Sequence, residues 1–369
     1  MAEHLPFVVT VSPIRALAII PFERHPDVIY RAFELQYLDG LPYGKGYRIV
    51  AYRNDHTVDV YDNETLAFQE NEAFSIVENG LHRHVQVPVA NIRFENREGC
   101  RIIAFSFTDI QHRMIRVSIR ETTKRKTTPL NLLAPVGYGA RAPAYLPAFF
   151  LYDFDFIRKG KTIVDCWIDG WKLIPDTLPV PVNLQARYFI RYSQRCAMLE
   201  FARTDLPLEW EPQLQGLTFR HETTEYLYDE NHALRQIATD TGAGRVLIDF
   251  QPAFDCNRNG TGKFEILPAG EMGTIRGSYE VQRTADRISV RLAPDGGWIS
   301  RPKSMVQRLI LQKRSAFCTW CKNYEYTAVI DLCQKQMTAE WKNKQKTEGW
   351  TDVQDSCDRL FANSKGYGG

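Results

Sequence analysis

His82-Arg83-His84 has the spacing of a metal site built on a strand. Residues two apart on a strand point to one side, so both imidazoles would share a face and need a third ligand, from His112, Asp109 or Glu70. Counting across a hairpin turned at Asn79-Gly80 sets Val77 beside His82 and Ser75 beside His84, neither of them a ligand. Two solvated or hydrogen-bonded histidines explain the same residues. Asp255, Asn257 and Asn259 followed by Gly260 resemble the first half of a calcium loop, with oxygen side chains at positions one, three and five. Lys263 then falls where a ligand belongs and Glu265 comes one place early, so a tight turn between strands is the competing reading. Cys318-Thr-Trp-Cys321 has redox or zinc spacing, but the following Tyr324–Asp331 segment reads as a strand and no second suitable pair exists, which favours packing thiols.

A different kind of chemistry is expected from Gly137 to Phe156. Tyr138, Arg141 and Tyr145 sit among small residues and prolines that do not build a good strand, as in a loop over a pocket mouth. Next come Tyr152, Asp153 and Asp155, the two carboxylates alternating with aromatic residues. With Arg141 or Arg53 as an anion anchor and Asp153 or Asp155 as acid and base, general acid–base catalysis is expected, with Tyr138, Tyr145 and Tyr152 as ligand contacts. An ordered crossover followed by an edge strand with solvated carboxylates explains the same segment. Asp165, Trp167 and Trp171 raise a carbohydrate platform, but the two indoles fall on opposite faces once the Asp169-Gly170 turn is counted.

The elements that must position these groups are strands. Period-two alternation places Ile103, Phe105 and Phe107 on one face, and Ile115, Val117 and Ile119 opposite Arg116, Ser118 and Arg120. Phe74–Glu78 with Leu81–Val87, Asn91–Glu95 with Cys100–Phe107, and Thr162–Ile168 with Trp171–Ile174 read as hairpins, so antiparallel pairing is expected. The second half continues with Arg187–Tyr192, Glu222–Tyr228, Arg245–Phe250, Lys263–Leu267, Gly277–Arg283, Ile288–Leu292 and Tyr324–Leu332. Long helices are nearly absent. The fold class is therefore all-β, an antiparallel meander in two barrel-like or sandwich domains with few short helices.

Pro175, Pro179 and Pro181 mark either a linker or an ordered crossover, which divides the chain into residues 1–183 and 184–340 with a polar tail over 341–369. An echo links Gly46 to Asp55 with Gly277 to Asp286, each a glycine-led strand carrying Tyr, Val, Arg and then Asp. Length, the two-part β layout and these strands resemble the tandem-lipocalin superfamily, which includes hydroxyneurosporene-synthase-type carotenoid hydratases and lipocalin-like cyclases. The Gly-x-Trp that opens a lipocalin strand is matched by Gly44-Lys-Gly46-Tyr47, with tyrosine in the tryptophan position. The resemblance implies two β-barrels with an apolar pocket and assigns no catalytic residue.

Composition narrows the function. Lys and Arg number 46 against 44 Asp and Glu in 369 residues, a net charge of +2, and hydrophobic residues make up 44%. This excludes a disordered or collagenous chain and gives no electrostatic reason to expect nucleic acid. The densest basic run, Arg120 to Lys126, lacks interleaved aromatics and reads as a solvated loop. Glu3 and Pro13 argue against a secretory leader, and no uncharged stretch has the length to span a bilayer. A cytoplasmic protein with reduced thiols is expected, with no cofactor and no membrane or nucleic-acid partner. The first functional expectation is binding of a small, largely apolar ligand, with cofactor-free isomerisation, hydration or cyclisation. A carbohydrate-active β-sandwich enzyme and a non-enzymatic interaction protein are the alternatives.

Overall fold

The computed structural model describes residues 5–23, 27–68, 75–76, 79–98, 100–122, 129–135, 148–178, 185–201, 206–207, 217–305, 307–308, 311 and 319–344. The protein is all-β, built from several antiparallel sheets, with a 3-10 turn at Trp320–Asn323. Tyr138, Arg141, Tyr145, Glu70 and Cys318 lie outside the described residues.

Two units divide the chain. The first comprises the described residues of Pro13–Leu130 and Leu151–Cys196. One of its sheets runs Ala148–Arg158, Arg187–Ser193, Ile14–Pro21, Tyr30–Gly40, Gly44–Arg53, Thr57–Asn63, Asn79–Val87 and Ser75–Ile76, the first of these belonging to this unit from Leu151 on. The other runs Trp171–Leu173, Thr162–Ile168, Met114–Glu121, Cys100–Thr108 and Ala90–Arg97. Their apolar faces meet in one core. Ile20, Phe33, Leu35, Ile49 and Tyr61 come from the first sheet, and Ile103, Phe105, Phe107, Ile115, Val117 and Ile119 from the second. The alternation expected from sequence is present, with Ile119 opposite Ile103, Val117 opposite Phe105 and Ile115 opposite Phe107. Asp169-Gly170 turns as expected: Ile168 pairs with Trp171, and both turn residues have positive φ, the geometry an Asp-Gly pair tolerates.

The hairpin expected around Asn79-Gly80 is different. Both residues already belong to Asn79–Val87, and Gly80 pairs with Ser75, so Ser75 is not beside His84. The main partner of Asn79–Val87 is Thr57–Asn63, and the two run parallel, an exception to the antiparallel pattern. The partition of the chain also differs from a cut at residue 183. Arg187–Ser193 pairs with Ile14–Pro21, and Pro175 and Thr177 bridge to Phe22 and Tyr188, so the proline-rich segment is an ordered crossover up to the described Leu178.

The second unit comprises the described residues of Met1–Ser12, Asn131–Phe150 and Ala197–Val353. From Thr218–His221 through Gln336–Asn343 its strands follow chain order in one meander, with Leu206–Pro207 added beyond Gln336–Asn343. Trp341 is buried in that last long strand, so the polar tail does not begin there. The two glycine-led strands have local reasons for their glycines. A Cβ on Gly46 would strike Thr65 and Leu66, and one on Gly277 would strike the Ala293 carbonyl and the Phe264 ring. Close approach accounts for both residues, and the two units follow different strand orders.

Candidate active site

The Thr57–Asn63 strand is buried on both faces, so its alternation carries Val58 and Val60 to one side and Asp59 and Tyr61 to the other. It also brings two carboxylates, Asp59 and Asp62, to zero exposure on opposite faces. A buried carboxylate survives only if its lone pairs are filled, and the neighbouring strands fill both.

Asp59 accepts the Tyr30 hydroxyl at 2.9 Å, Arg53 Nη1 at 3.0 Å and His82 Nδ1 at 2.7 Å. The Tyr30 and Tyr61 hydroxyls lie 2.7 Å apart, and the Ile110 amide donates to Tyr61. Burial pushes both phenols well above their ordinary range, so they remain protonated donors. Arg53 also contacts Asp55 at 3.1 Å. The His82 side chain is 39% exposed. With the Asp59 carboxylate as acceptor, Nδ1 is the donor in this contact and Nε2 is the ring nitrogen turned away from Asp59. An imidazole oriented by a buried aspartate is the arrangement that general bases use.

Asp62 is held by Arg48 through Nε at 2.6 Å and Nη2 at 2.9 Å, and by His84 Nε2 at 2.9 Å. Burial would raise the Asp62 pKa, but the hydrogen bonds from Arg48 and His84 outweigh it and hold the group below the usual carboxylate range. Arg48 lies over the Tyr43 ring and Phe68 packs on the His84 imidazole. His84 is only 2% exposed, which makes this trio a buried brace rather than a reactive surface.

The two histidines therefore serve different carboxylates. The register of the parallel pair shifts between Val58 and Asp59, where Leu81 and then Arg83 are the partners, leaving His82 as the extra residue. A one-residue shift reverses the face, so the shared side expected from i, i+2 spacing is lost. Among the described residues no group of His, Cys, Asp and Glu is arranged to hold a metal.

A third buried carboxylate, Glu34, accepts Tyr52 and Gln36 at 2.7 Å each. Burial outweighs these donors and raises its pKa. The folded state thus retains a proton that the unfolded chain releases, and wild-type stability falls as pH rises from the unfolded value toward the folded one. Glu34→Gln, which has no such titration, is expected to gain on wild type between pH 5 and pH 8, read by urea unfolding at both. An unchanged difference between the two pH values contradicts a raised Glu34.

The other expected residues are placed apart. Asp153 has a positive φ of 52° and pairs with Arg195, while Asp155 bonds Arg101 at 2.9 Å and Arg187 at 2.7 Å. The left-handed residue interrupts strand alternation, so the two aspartates do not form the same-face carboxylate pair. Burial pushes the Tyr152 phenol up to about 12, and its ring lies against Arg195. Asp255 accepts the Asn257 amide and pairs with Arg258, and Asn259 accepts the Arg283 amide, so the calcium-like residues are spent on a turn. Trp167 bonds Asp165 and lies under Lys172, whereas Trp171 is across from Ile168 on the other face.

Of the residues singled out in the sequence, Arg53 and His82 come together, and Asp59 joins them. Sequence reading missed Asp59, Asp62 and Glu34. The usable signal was acidic residues inside Thr57-Val-Asp-Val-Tyr-Asp-Asn63, a strand whose remaining positions suit burial. Compared with protein-family models, curated proteins and solved structures, the chain matches none.

Proposed function

We propose that this protein handles a small, largely apolar ligand and moves a proton on it without a cofactor, with His82 as the base. The observation that carries the reading is the His82–Asp59 pair, whose carboxylate is wholly buried while the imidazole reaches solvent. Nε2 would take a proton from an acidic C–H or from water, the imidazolium would be stabilised by Asp59, and the same nitrogen would return the proton at another atom. That sequence serves isomerisation, hydration and cyclisation alike. Arg53 and Tyr30 donate to Asp59 and hold it in place, so they act as positioning residues.

The same reading takes the architecture as two barrel-like units of the tandem-lipocalin kind in a cytoplasmic protein without nucleic-acid or membrane partners. In its support, Tyr226 and Tyr326, on well-separated strands of the second unit's sheet, both bond the segment Pro6–Val9, as a curled sheet allows. Among the described residues no helix is long and apolar enough to cross a membrane.

The test is deuterium uptake from D2O at the α-carbon of a panel of small ketones and 1,3-dicarbonyls, followed by NMR. Wild type is expected to accelerate exchange of at least one compound, and His82→Gln to slow it by about 10²-fold or more. Equal exchange by the variant, or none by wild type, defeats the reading.

A further inference from the structure

One face of the second unit's sheet is covered by Leu5–Val11 of the same chain. Phe7 is completely buried, its ring centroid 5.0 Å from Phe254, 5.6 Å from Phe250, 5.8 Å from Tyr326 and 6.5 Å from Phe201. The backbone around it is held at three points. The Tyr326 hydroxyl donates to the Pro6 carbonyl, the Val9 amide donates to the Tyr226 hydroxyl, and the Thr224 hydroxyl donates to the Val9 carbonyl, each at 2.8 Å. Thr10–Val11 then pairs with Leu199–Glu200 as a short antiparallel ladder.

The division of labour is that of a receptor and its ligand. Side chains of the sheet reach the backbone of the segment, and one aromatic box reads one side chain. Backbone bonds for affinity with a pocket for a single residue are how extended peptides are recognised. The fit is also incomplete: a cavity of about 20 Å³, bordered by Leu5, Pro6, Tyr228, His232 and Asn257, adjoins the segment, room for about one water.

We propose that this groove is a peptide-binding site occupied in cis by Leu5–Val11, and that it accepts in trans an extended, uncharged peptide carrying an aromatic side chain between a free carbonyl and a free amide. The proposal is independent of the His82 reading, since the groove and the dyad share no residue.

A tethered segment competes at an effective concentration of about millimolar, so the cis contact has to be weakened first. The full-length Phe7→Ala protein, checked for folding by circular dichroism, is titrated with an acetylated peptide of residues 5–12. Binding at least tenfold tighter than to wild type is expected, lost when the peptide's own phenylalanine is alanine. A folded variant that ignores the peptide at millimolar concentration, or takes toluene but not the peptide, overturns the proposal and leaves an ordinary core phenylalanine. If the variant does not fold, native-state hydrogen exchange of wild type decides. The Val9 amide is expected to exchange at least tenfold faster than the Ile330 amide, through an opening insensitive to denaturant. Exchange of Val9 only by global unfolding overturns the proposal.

Discussion

Asp62→Ala is expected to lower unfolding stability by about 3–5 kcal/mol, the scale of removing one partner from a buried ion pair. The loss is large because the side chain of Arg48 is 5% exposed and keeps its charge at any ordinary pH, so alanine leaves a buried cation without the Asp62 carboxylate that faces it. His84 loses its acceptor at the same time. The attraction in the intact pair is mostly offset by desolvation, so removing both charges together, as Arg48→Met with Asp62→Leu, is expected to recover much of the loss. The pH dependence has a definite sign. The Asp62 pKa is depressed in the folded protein, so its contribution is present above the unfolded carboxylate value and disappears as pH falls through the folded one. Asp62→Asn should therefore flatten the acid limb of the stability curve. Urea unfolding from pH 3 to 7 checks both statements, and a loss below about 1 kcal/mol for alanine would place the pair among exposed bridges.

Phe7→Ala is expected to cost a similar amount, about 3–5 kcal/mol for a buried phenylalanine cut to alanine. Four aromatic neighbours surround the ring, and edge-on or stacked pairs add to the transfer term. Phe68, at 41% exposure, serves as the control, and its replacement should cost far less. Chemical unfolding of the two variants under one set of conditions gives the comparison. Near-equal effects would mean that Leu5–Val11 contributes little to the second unit.

Much of the strand pattern was legible because it is local. Ile103, Phe105 and Phe107 alternate over five residues, and Asp169-Gly170 announces its turn through the φ angles that those residue types tolerate. The site was less legible because it is assembled by register between distant segments. His82 and Arg53 both looked reactive in sequence, yet their meeting depends on a parallel pairing and on one extra residue at His82, neither of which leaves a local mark. The same parity rule that correctly aligned Ile115 with Val117 failed for His82 with His84 and for Asp153 with Asp155, where a register shift and a positive φ intervene. The insertion of Phe7 among residues 194 to 319 positions away has no periodic signature at all.

The proposed proton transfer requires that Asp59 fix the half-exposed His82 ring through Nδ1 and leave Nε2 for the ligand. Long-range ¹H–¹⁵N NMR of the imidazole, at a pH where His82 is neutral, reads this directly. The protein is expected to show His82 protonated at Nδ1, and Asp59→Asn to lose that preference. A wild-type ring protonated mainly at Nε2 would contradict the bond to Asp59, and with it the assignment of His82 as the base.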